Sequence, residues 1–412
     1  MGEWVEATLG DVLELKRGYD LPQQHRIEGP IPIISSSGPT GWHTEAMAHP
    51  PGVVTGRYGT LGQVFYVTTD YWPLNTTLYV KDFKGNNPLF VSYFLKSFDF
   101  FAYSDKAAVP GLNRNHLHLA PVRFPRSVDE QRAIVDILGV LDDKIDLNRR
   151  MNETLEAMAR AIFKDWFVDF GPTRAKMEGR ADYLAPEVWA LFPDRLDDEG
   201  KPEGWMVGPL SELTSKIGSG ATPAGGSQVY VASGTALIRS QNVHDHEFAW
   251  DGLARITDDA AHKLRGVTVL ENDVLINITG DSILRCCVVD PAALPARVNQ
   301  HVSIIRPKAG IPHHFIHQYL VMRRTKEILL GFDAGGSRAA VTKAHLEAMP
   351  ILSPGEAAFV AFDAVTKPLF ERVEANNRQN RTLAETRDLL LPKLMSGEIR
   401  IRGAEATAVA AE

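Results

Sequence analysis

The sequence predicts an α+β fold in which two similar mixed α/β domains are separated by a pair of long antiparallel coiled-coil helices, related by a pseudo-two-fold internal repeat. Three observations predict it. The opening of the chain recurs halfway along, each copy alternates strand-like runs with turn residues, and behind each copy the apolar period changes from two to about 3.5.

The repeat is read residue by residue. Trp4, Leu9, Asp11 and Val12 align with Trp205, Leu210, Glu212 and Leu213 at a separation of 201, and Pro22 then meets Pro223. Val53-Val54-Thr55-Gly56 resembles Val274-Leu275-Ile276-Asn277, and residues 74–80 resemble residues 298–304. Asn113-Arg114-Asn115-His116-Leu117, with Pro121 and Pro125, matches Thr342-Lys343-Ala344-His345-Leu346, with Pro350 and Pro354, at a separation of 229. The second copy therefore carries about 28 additional residues.

Residues 1–128 form the first domain and residues 205–354 the second. Their β-branched and aromatic runs at 62–69, 74–81, 273–278 and 298–306, punctuated by Gly, Pro and Asn, read as strands. Asn87 before Pro88 reads as the cap and first position of a helix. Residues 314–329 read as its counterpart. A first long helix occupies 129–170, a linker 171–204, a second long helix 355–397 and a tail 398–412, of which 403–412 are expected to lack order.

The first helix places Ile134, Leu138, Leu141, Ile145, Asn148, Asn152, Leu155, Ala159, Ile162 and Trp166 at alternating steps of four and three. The second places Phe362, Thr366, Leu369, Val373, Asn376, Asn380, Leu383, Arg387, Leu390 and Leu394 on the same rule. Such a seam is a coiled-coil signature, and its length corresponds to a rod of ~50 Å. The paired asparagines Asn148, Asn152, Asn376 and Asn380 are register candidates, because a buried amide costs stability unless it finds a partner. Antiparallel pairing would bring Asn148 to Asn380, Asn152 to Asn376 and Leu155 to Val373. The competing reading is an ordinary helical hairpin packed on its domain, and Pro368 and Thr366 weaken the second seam locally.

Composition excludes several classes. No run approaches the ~20 apolar residues of a membrane span, and Met1-Gly2-Glu3-Trp4 does not begin a secretory signal, so a soluble, cytoplasmic protein is expected. Cys286 and Cys287, the only cysteines, permit neither a disulfide framework nor a four-cysteine zinc site. The formal charge of −7, taken as a mean, disfavours nucleic acid, but its distribution matters more. Residues 129–204 carry a net −7, whereas 1–128, 205–354 and 355–412 carry 0, +1 and −1. The two domains are left near neutrality. That remains weak charge for a DNA binder, so the isolated chain is expected to bind DNA poorly.

No catalytic set emerges. Asn87-Pro88-Leu89-Phe90 resembles the base-holding element of amino-methyltransferases, but no Gly-rich loop for S-adenosylmethionine precedes it and the helix-start reading accounts for it. His313, His314, His317, His244 and His246 lack carboxylate or thiolate partners at ligand spacing and read as surface or capping residues rather than metal ligands. Ser35-Ser36-Ser37-Gly38 reads as a turn. Gly225-Gly226 and Gly335-Gly336 lack the Lys-Ser/Thr of a phosphate loop.

The domains do carry loops that mix basic, amide, hydroxyl and aromatic groups. Arg suits guanine edges, Asn and Gln suit adenine, and hydroxyls suit phosphate. On that basis Arg57, Tyr58, Thr60, Asn113, Arg114, Arg239, Gln241, Asn242, Ser282, Arg338 and Lys343 are candidate DNA contacts, although such loops also occur on any surface.

This organisation resembles the specificity (S) subunit of type I restriction–modification enzymes over nearly the whole chain. The residues that carry the resemblance are Asp129-Glu130-Gln131-Arg132-Ala133-Ile134, the run from Lys164 through Trp166-Phe167 to Phe170-Gly171-Pro172, the ending Leu391-Pro392-Lys393-Leu394 with Ser396-Gly397-Glu398, and Pro202-Glu203-Gly204-Trp205. The resemblance implies that each α/β domain is a target-recognition domain reading one half of a split, asymmetric DNA site, with the helices as spacer. It implies methylation subunits, two copies, and restriction subunits as partners that supply all catalysis. S-adenosylmethionine, ATP and Mg would then reside on those partners, with no cofactor and no metal in this chain. Phe163, Trp166, Phe167, Phe170, Leu390 and Lys393 are candidate docking residues for the methylation subunits, end-packing of the rod being the alternative. A stand-alone two-lobe DNA-binding protein without enzymatic partners is the competing function.

Overall fold

The computed structural model describes residues 4–104, 111–332 and 340–399. It divides into two compact units whose boundaries fall inside the two long helices: one holds the chain up to Arg150 together with Asn376 onward, the other holds Met151–Ala375. The two units are built to one plan.

In the first unit a four-stranded antiparallel sheet has the order Glu14–Arg17, Thr77–Asp82, Gly52–Gly56, Val64–Val67. A second sheet joins Gly38–His43, Ile31–Ser35 and Trp72–Pro73. Residues 36 and 37 turn the chain between the first two of these, as Gly38 takes a left-handed φ of 103°. Trp4–Thr8 pairs antiparallel with Pro121–Pro125 as a separate ribbon. In the second unit the matching sheet has the order Thr214–Ser219, Val302–Pro307, Val274–Asn277, Cys286–Val288. A second sheet orders Ala254–Ile256, Tyr230–Ile238, Ala296–Val298 and Thr268–Val269, and the ribbon pairs Met206–Pro209 with Pro350–Ser353. Segments that align in the sequence thus occupy the same places in their sheets. Within the second, Asp273 is fully buried and binds Arg306 through both carboxylate oxygens at 2.7 and 2.8 Å.

Local chemistry sets the helices. Asn87 Oδ1 accepts from the backbone N–H groups of Leu89 and Phe90, both at 3.0 Å, and starts Pro88–Ser97. Its counterpart is not one helix over 314–329 but two, His313–Val321 and Arg323–Gly331. The chain breaks at Met322, which takes an extended backbone and rests its side chain on the core.

The first long helix, Val128–Phe167, is pinned to the first unit at its start. Gln131 is fully buried and donates to Asn86 Oδ1 and the Pro125 carbonyl, while its Oε1 accepts from the Asn87 N–H at 2.8 Å. A buried carboxamide so satisfied costs little and fixes one orientation. Trp4 Nε1 donates to Glu130 Oε1 at 2.9 Å beside it. The second long helix, Glu356–Met395, runs through Pro368 without interruption. A helical proline costs ~3 kcal/mol, and burial of Phe362, Thr366 and Phe370 on either side opposes that loss.

Within the first unit the helices run antiparallel. Asp142 Oδ1 accepts from Arg387 at 2.8 Å, and Asn148 Nδ2 donates to Gln379 Oε1 and Asn380 Oδ1, both at 2.9 Å. Asn148 is completely buried. Asp142 also accepts from the Tyr93 hydroxyl at 2.6 Å, and burial together with that bond pushes the phenol pKa upward. The end of the second helix closes the unit. Arg123 donates to the Ser396 carbonyl at 3.0 Å, and Gly397 lies so close to Trp4 that an added Cβ would sit 3.2 Å from the indole. Leu383, Leu390, Leu394 and Met395 share one apolar core with Leu9, Leu13 and Phe124.

The second unit corrects two expectations. Phe163, Trp166 and Phe167 are not exposed docking residues: they are buried, with ring centroids 5.5 Å from Phe315 to Phe163, 5.0 Å from Phe315 to Phe167 and 5.1 Å from Phe192 to Trp166. They prolong the apolar seam, and aromatics of this size dominate a core once buried. Phe170 is half-buried against Trp205, Leu390 is buried in the first unit, and Lys393 is half-buried there. Residues 171–204 are more than a linker. They form helices Gly171–Met177 and Pro186–Trp189, bury Thr173 and Ala175, and insert Phe192 into the core. The expected tail 403–412 lies outside the described residues.

Because Asn148 satisfies two acceptors in a buried seam, Asn148→Leu should lower stability by about 1–3 kcal/mol. Asn148→Leu/Asn380→Leu should recover part of that loss. Urea unfolding midpoints of the two variants against the parent chain check this.

Candidate nucleic-acid interface

Four of the candidate DNA contacts meet in one place. The loop after strand Gly52–Gly56 turns tightly, because Gly56 approaches so closely that an added Cβ would lie 1.9 Å from the Thr60 carbonyl oxygen, and Gly59 adopts a left-handed φ of 81°. Half-buried Arg57 and exposed Tyr58 at its tip are held from behind. The Arg57 and Tyr58 N–H groups donate to the Thr76 carbonyl, the Arg57 carbonyl accepts from Leu112 N–H at 3.0 Å, and Tyr58 bridges to Gly111. Leu112 leads directly to Asn113, whose Oδ1 accepts from the Asn115 N–H at 2.9 Å and starts Arg114–His118.

The result is an open groove of about 460 Å³ lined by Arg17, Arg57, Tyr58, Asn113, Arg114 and Asn115. The Arg57 guanidinium lies over the Tyr58 ring, 4.5 Å from its centroid, and donates to the Tyr58 hydroxyl at 3.3 Å. Arg17 pairs with Asp20 at 3.2 Å. Sequence reasoning missed Arg17, although the Lys16-Arg17 pair at a strand end, just before Gly18, was a usable signal. Thr60 is half-buried behind the tip.

The second unit has a groove of about 580 Å³ whose cations are Lys216, on strand Thr214–Ser219, and Lys343, first residue of Lys343–Ala348. Lys343 and Arg114 stand at aligned positions of the repeat, each on the short helix that follows the equivalent cap, Thr342 or Asn113. Ser211, Thr214, Ser215, Ser219 and Glu347 complete the polar lining, with Lys343 Nζ 3.3 Å from Glu347 Oε1 and Lys216 donating to the Gly266 carbonyl. Lys216 was also missed.

The remaining candidates lie elsewhere. Asn242 is fully buried and is not a surface contact: its Nδ2 donates to the Ala249 and Asp251 carbonyls, and its Oδ1 accepts from Arg239 N–H. Its polar side chain closes the 239–252 loop. Arg239 and exposed Gln241 both donate to the Gly252 carbonyl, at 2.6 and 3.2 Å. Ser282 Oγ accepts from Asn277 Nδ2 at 3.1 Å. Arg338 lies outside the described residues.

The histidines also depart from expectation. His314 and His317 are buried, and His313 is half-buried. His314 stacks on Phe370 with centroids 3.4 Å apart, and His317 Nε2 lies 3.2 Å from the Cys286 carbonyl. They follow the apolar face of a helix and are core residues. Among the described residues no group of three His, Cys, Asp or Glu side chains could hold a metal ion. Nor is any described helix long and apolar enough to cross a membrane.

Two repeated α/β lobes, each with a cationic groove and each completed by a segment of both long helices, make up the fold. Residues 1–157 match the family model described as type I restriction modification DNA specificity domain. The HindI specificity subunit of Haemophilus influenzae is 26% identical over 350 residues, covering 73% of this chain and 74% of that protein. The MjaIX specificity subunit of Methanocaldococcus jannaschii is 26% identical over 307 residues, covering 72% of this chain and 65% of the relative. In fold, the S subunit of a type I restriction–modification system from M. genitalium superposes with a TM-score of 0.57 at 14% identity, covering 95% of this chain and 96% of that one. The chain is thus similar in sequence to type I restriction enzyme specificity subunits, and in fold to an S subunit of such a system.

Burial holds His313 near a pKa of about 4 and His317 near about 3, and drives His314 well below its usual value. The unfolded chain, with histidine near ~6.5, binds more protons below that pH. Stability of the second unit should therefore be complete above pH ~6.5 and fall as pH drops toward 4, by up to ~1.4 kcal/mol per pH unit for each histidine. Glu156, pushed up to about 6 by burial, acts in the opposite sense and offsets one of the three. Urea midpoints at pH 7.5 and 5.0 should differ accordingly, and His317→Gln should flatten the dependence.

Proposed function

We propose that this chain is the DNA-recognition subunit of a type I restriction–modification complex, reading a bipartite, asymmetric site and directing methylation and restriction subunits to it. One observation supports this reading above the others: two lobes built to one plan carry grooves with different cations, guanidinium groups in one and ammonium groups in the other, Arg114 and Lys343 standing at the aligned position. Lobes of the same architecture but different surface chemistry suit two different half-sites.

In this reading the chain itself is non-catalytic and cytoplasmic. Methylation subunits, in two copies, and restriction subunits carry the chemistry, with S-adenosylmethionine, ATP and Mg bound on them. The docking role first assigned to Phe163, Trp166 and Phe167 passes to surfaces other than those rings, which are buried. The near-neutral lobes fit a subunit whose partners supply much of the grip on phosphate.

Deleting the gene should erase a bipartite methylation motif from the host genome, read by single-molecule sequencing of modified bases. A continuous palindrome, or an unchanged pattern, would contradict the reading. Methylation subunits should co-purify with the chain from its host, and their absence would favour a stand-alone DNA-binding protein. Gel-shift titration at physiological salt should show the isolated chain binding duplex DNA more weakly than the assembled complex.

A further inference from the structure

The two grooves share one aligned position, Arg114 in the first and Lys343 in the second, but present different chemistry. In the first, Arg57 is oriented before any ligand arrives: its guanidinium is stacked on Tyr58, and the backbone beneath is clamped from two sides. A planar fork held at the tip of a rigid loop loses little side-chain entropy on docking. It matches the O6 and N7 acceptors that guanine presents in the major groove. Arg17 and Arg114 lie along the same groove, where they can meet the flanking backbone.

The second groove contains no guanidinium and no carboxamide among its described lining residues, only Lys216 and Lys343 with hydroxyls and Glu347. An ammonium is a point charge without a fork, suited to a phosphate oxygen rather than to one base. Among the described residues, the candidate base readers Arg239, Gln241 and Asn242 of this lobe are bonded to the carbonyls and N–H groups of their own loop.

We propose that the grooves divide the work: the first lobe reads a guanine in its half-site through Arg57, while the second lobe's groove anchors the DNA backbone through Lys216 and Lys343. This rests on the DNA-recognition reading above and adds to it which groove discriminates and which base it selects.

The test uses the host, the full chain and its natural complex, with genome-wide mapping of methylated bases. Arg57→Lys keeps the charge and removes the fork. It should relax one guanine position of one half-site to several bases, with a loss of discrimination of roughly ten-fold or more, and leave the other half unchanged. Lys343→Ala should keep the motif intact and lower the methylated fraction at all sites together. Retention of the other half-site in Arg57→Lys shows that the variant folds, and immunoblotting confirms its abundance.

The proposal is overturned if Arg57→Lys and Arg57→Ala, present at normal levels, both leave the motif unaltered. A motif without guanine in either half, or relaxation of a base by Lys343→Ala, overturns it equally. If deletion of the whole gene leaves methylation unaltered, the DNA-recognition reading fails first, and that result is distinct from any of these.

Discussion

A helix of forty residues with one apolar seam has no stable existence in water unless something covers that seam, and here two different cores cover it. The start of the first long helix and the end of the second are buried in the first unit, where Ile134, Leu138, Leu141 and Ile145 meet Leu383, Leu390 and Leu394. The other halves are buried in the second unit with Phe163, Trp166, Phe167, Phe359 and Phe362. Most helical stability comes from such tertiary burial rather than from propensity. Each lobe therefore needs both helices, and each helix needs both lobes. The polar contacts follow from that constraint, because Gln131, Asn148 and the Tyr93–Asp142–Arg387 chain lie where the helices enter or cross a core, and they set orientation where apolar contact alone would allow sliding.

Much of this was legible from the residues because periodicity is a global signal. The strands, the long helices, the aligned asparagines and the relation of Asn113 to Thr342 all came from patterns that repeat at fixed separations. What was not legible was which side of a pattern faces solvent. Trp166 continues the seam at its own spacing with Phe163 and Phe167 flanking it, and spacing alone does not distinguish a docking stripe from a core that arrives from a lobe 150 residues away in sequence, such as Phe315. His314 and His317 were misjudged for the same reason, since imidazole on an apolar helix face is core when its neighbours are Phe315 and Ile316.

Loops were the hardest case. Arg239, Gln241 and Asn242 have the composition of a reading surface, yet the Gly252 carbonyl captures the first two and the Ala249 and Asp251 carbonyls the third. Arg57 and Arg114 share that composition and remain at a surface, because the strands behind them satisfy the loop's backbone without help from their side chains. Arg17 and Lys216 join the grooves from strand ends, positions where pattern reading assigns structure and looks no further. The overall charge was a poor guide for a related reason: the acid sits in residues 129–204, and a groove senses its own lining before it senses the mean.

The stitching of Ser396 and Gly397 to Arg123 and Trp4 sets an order of events for a newly made chain. The first lobe leaves the ribosome first but acquires its last core residues only when the final helix emerges, some 240 residues later. Throughout translation its apolar face stays open, while the second unit, contiguous in sequence, can close earlier. A transcript cut short before Leu383 would yield a polypeptide with one finished reader and one unfinished one, and proteases act on unfinished surfaces. Completion of the last turn thus closes the first core only after the residues of both lobes have been made.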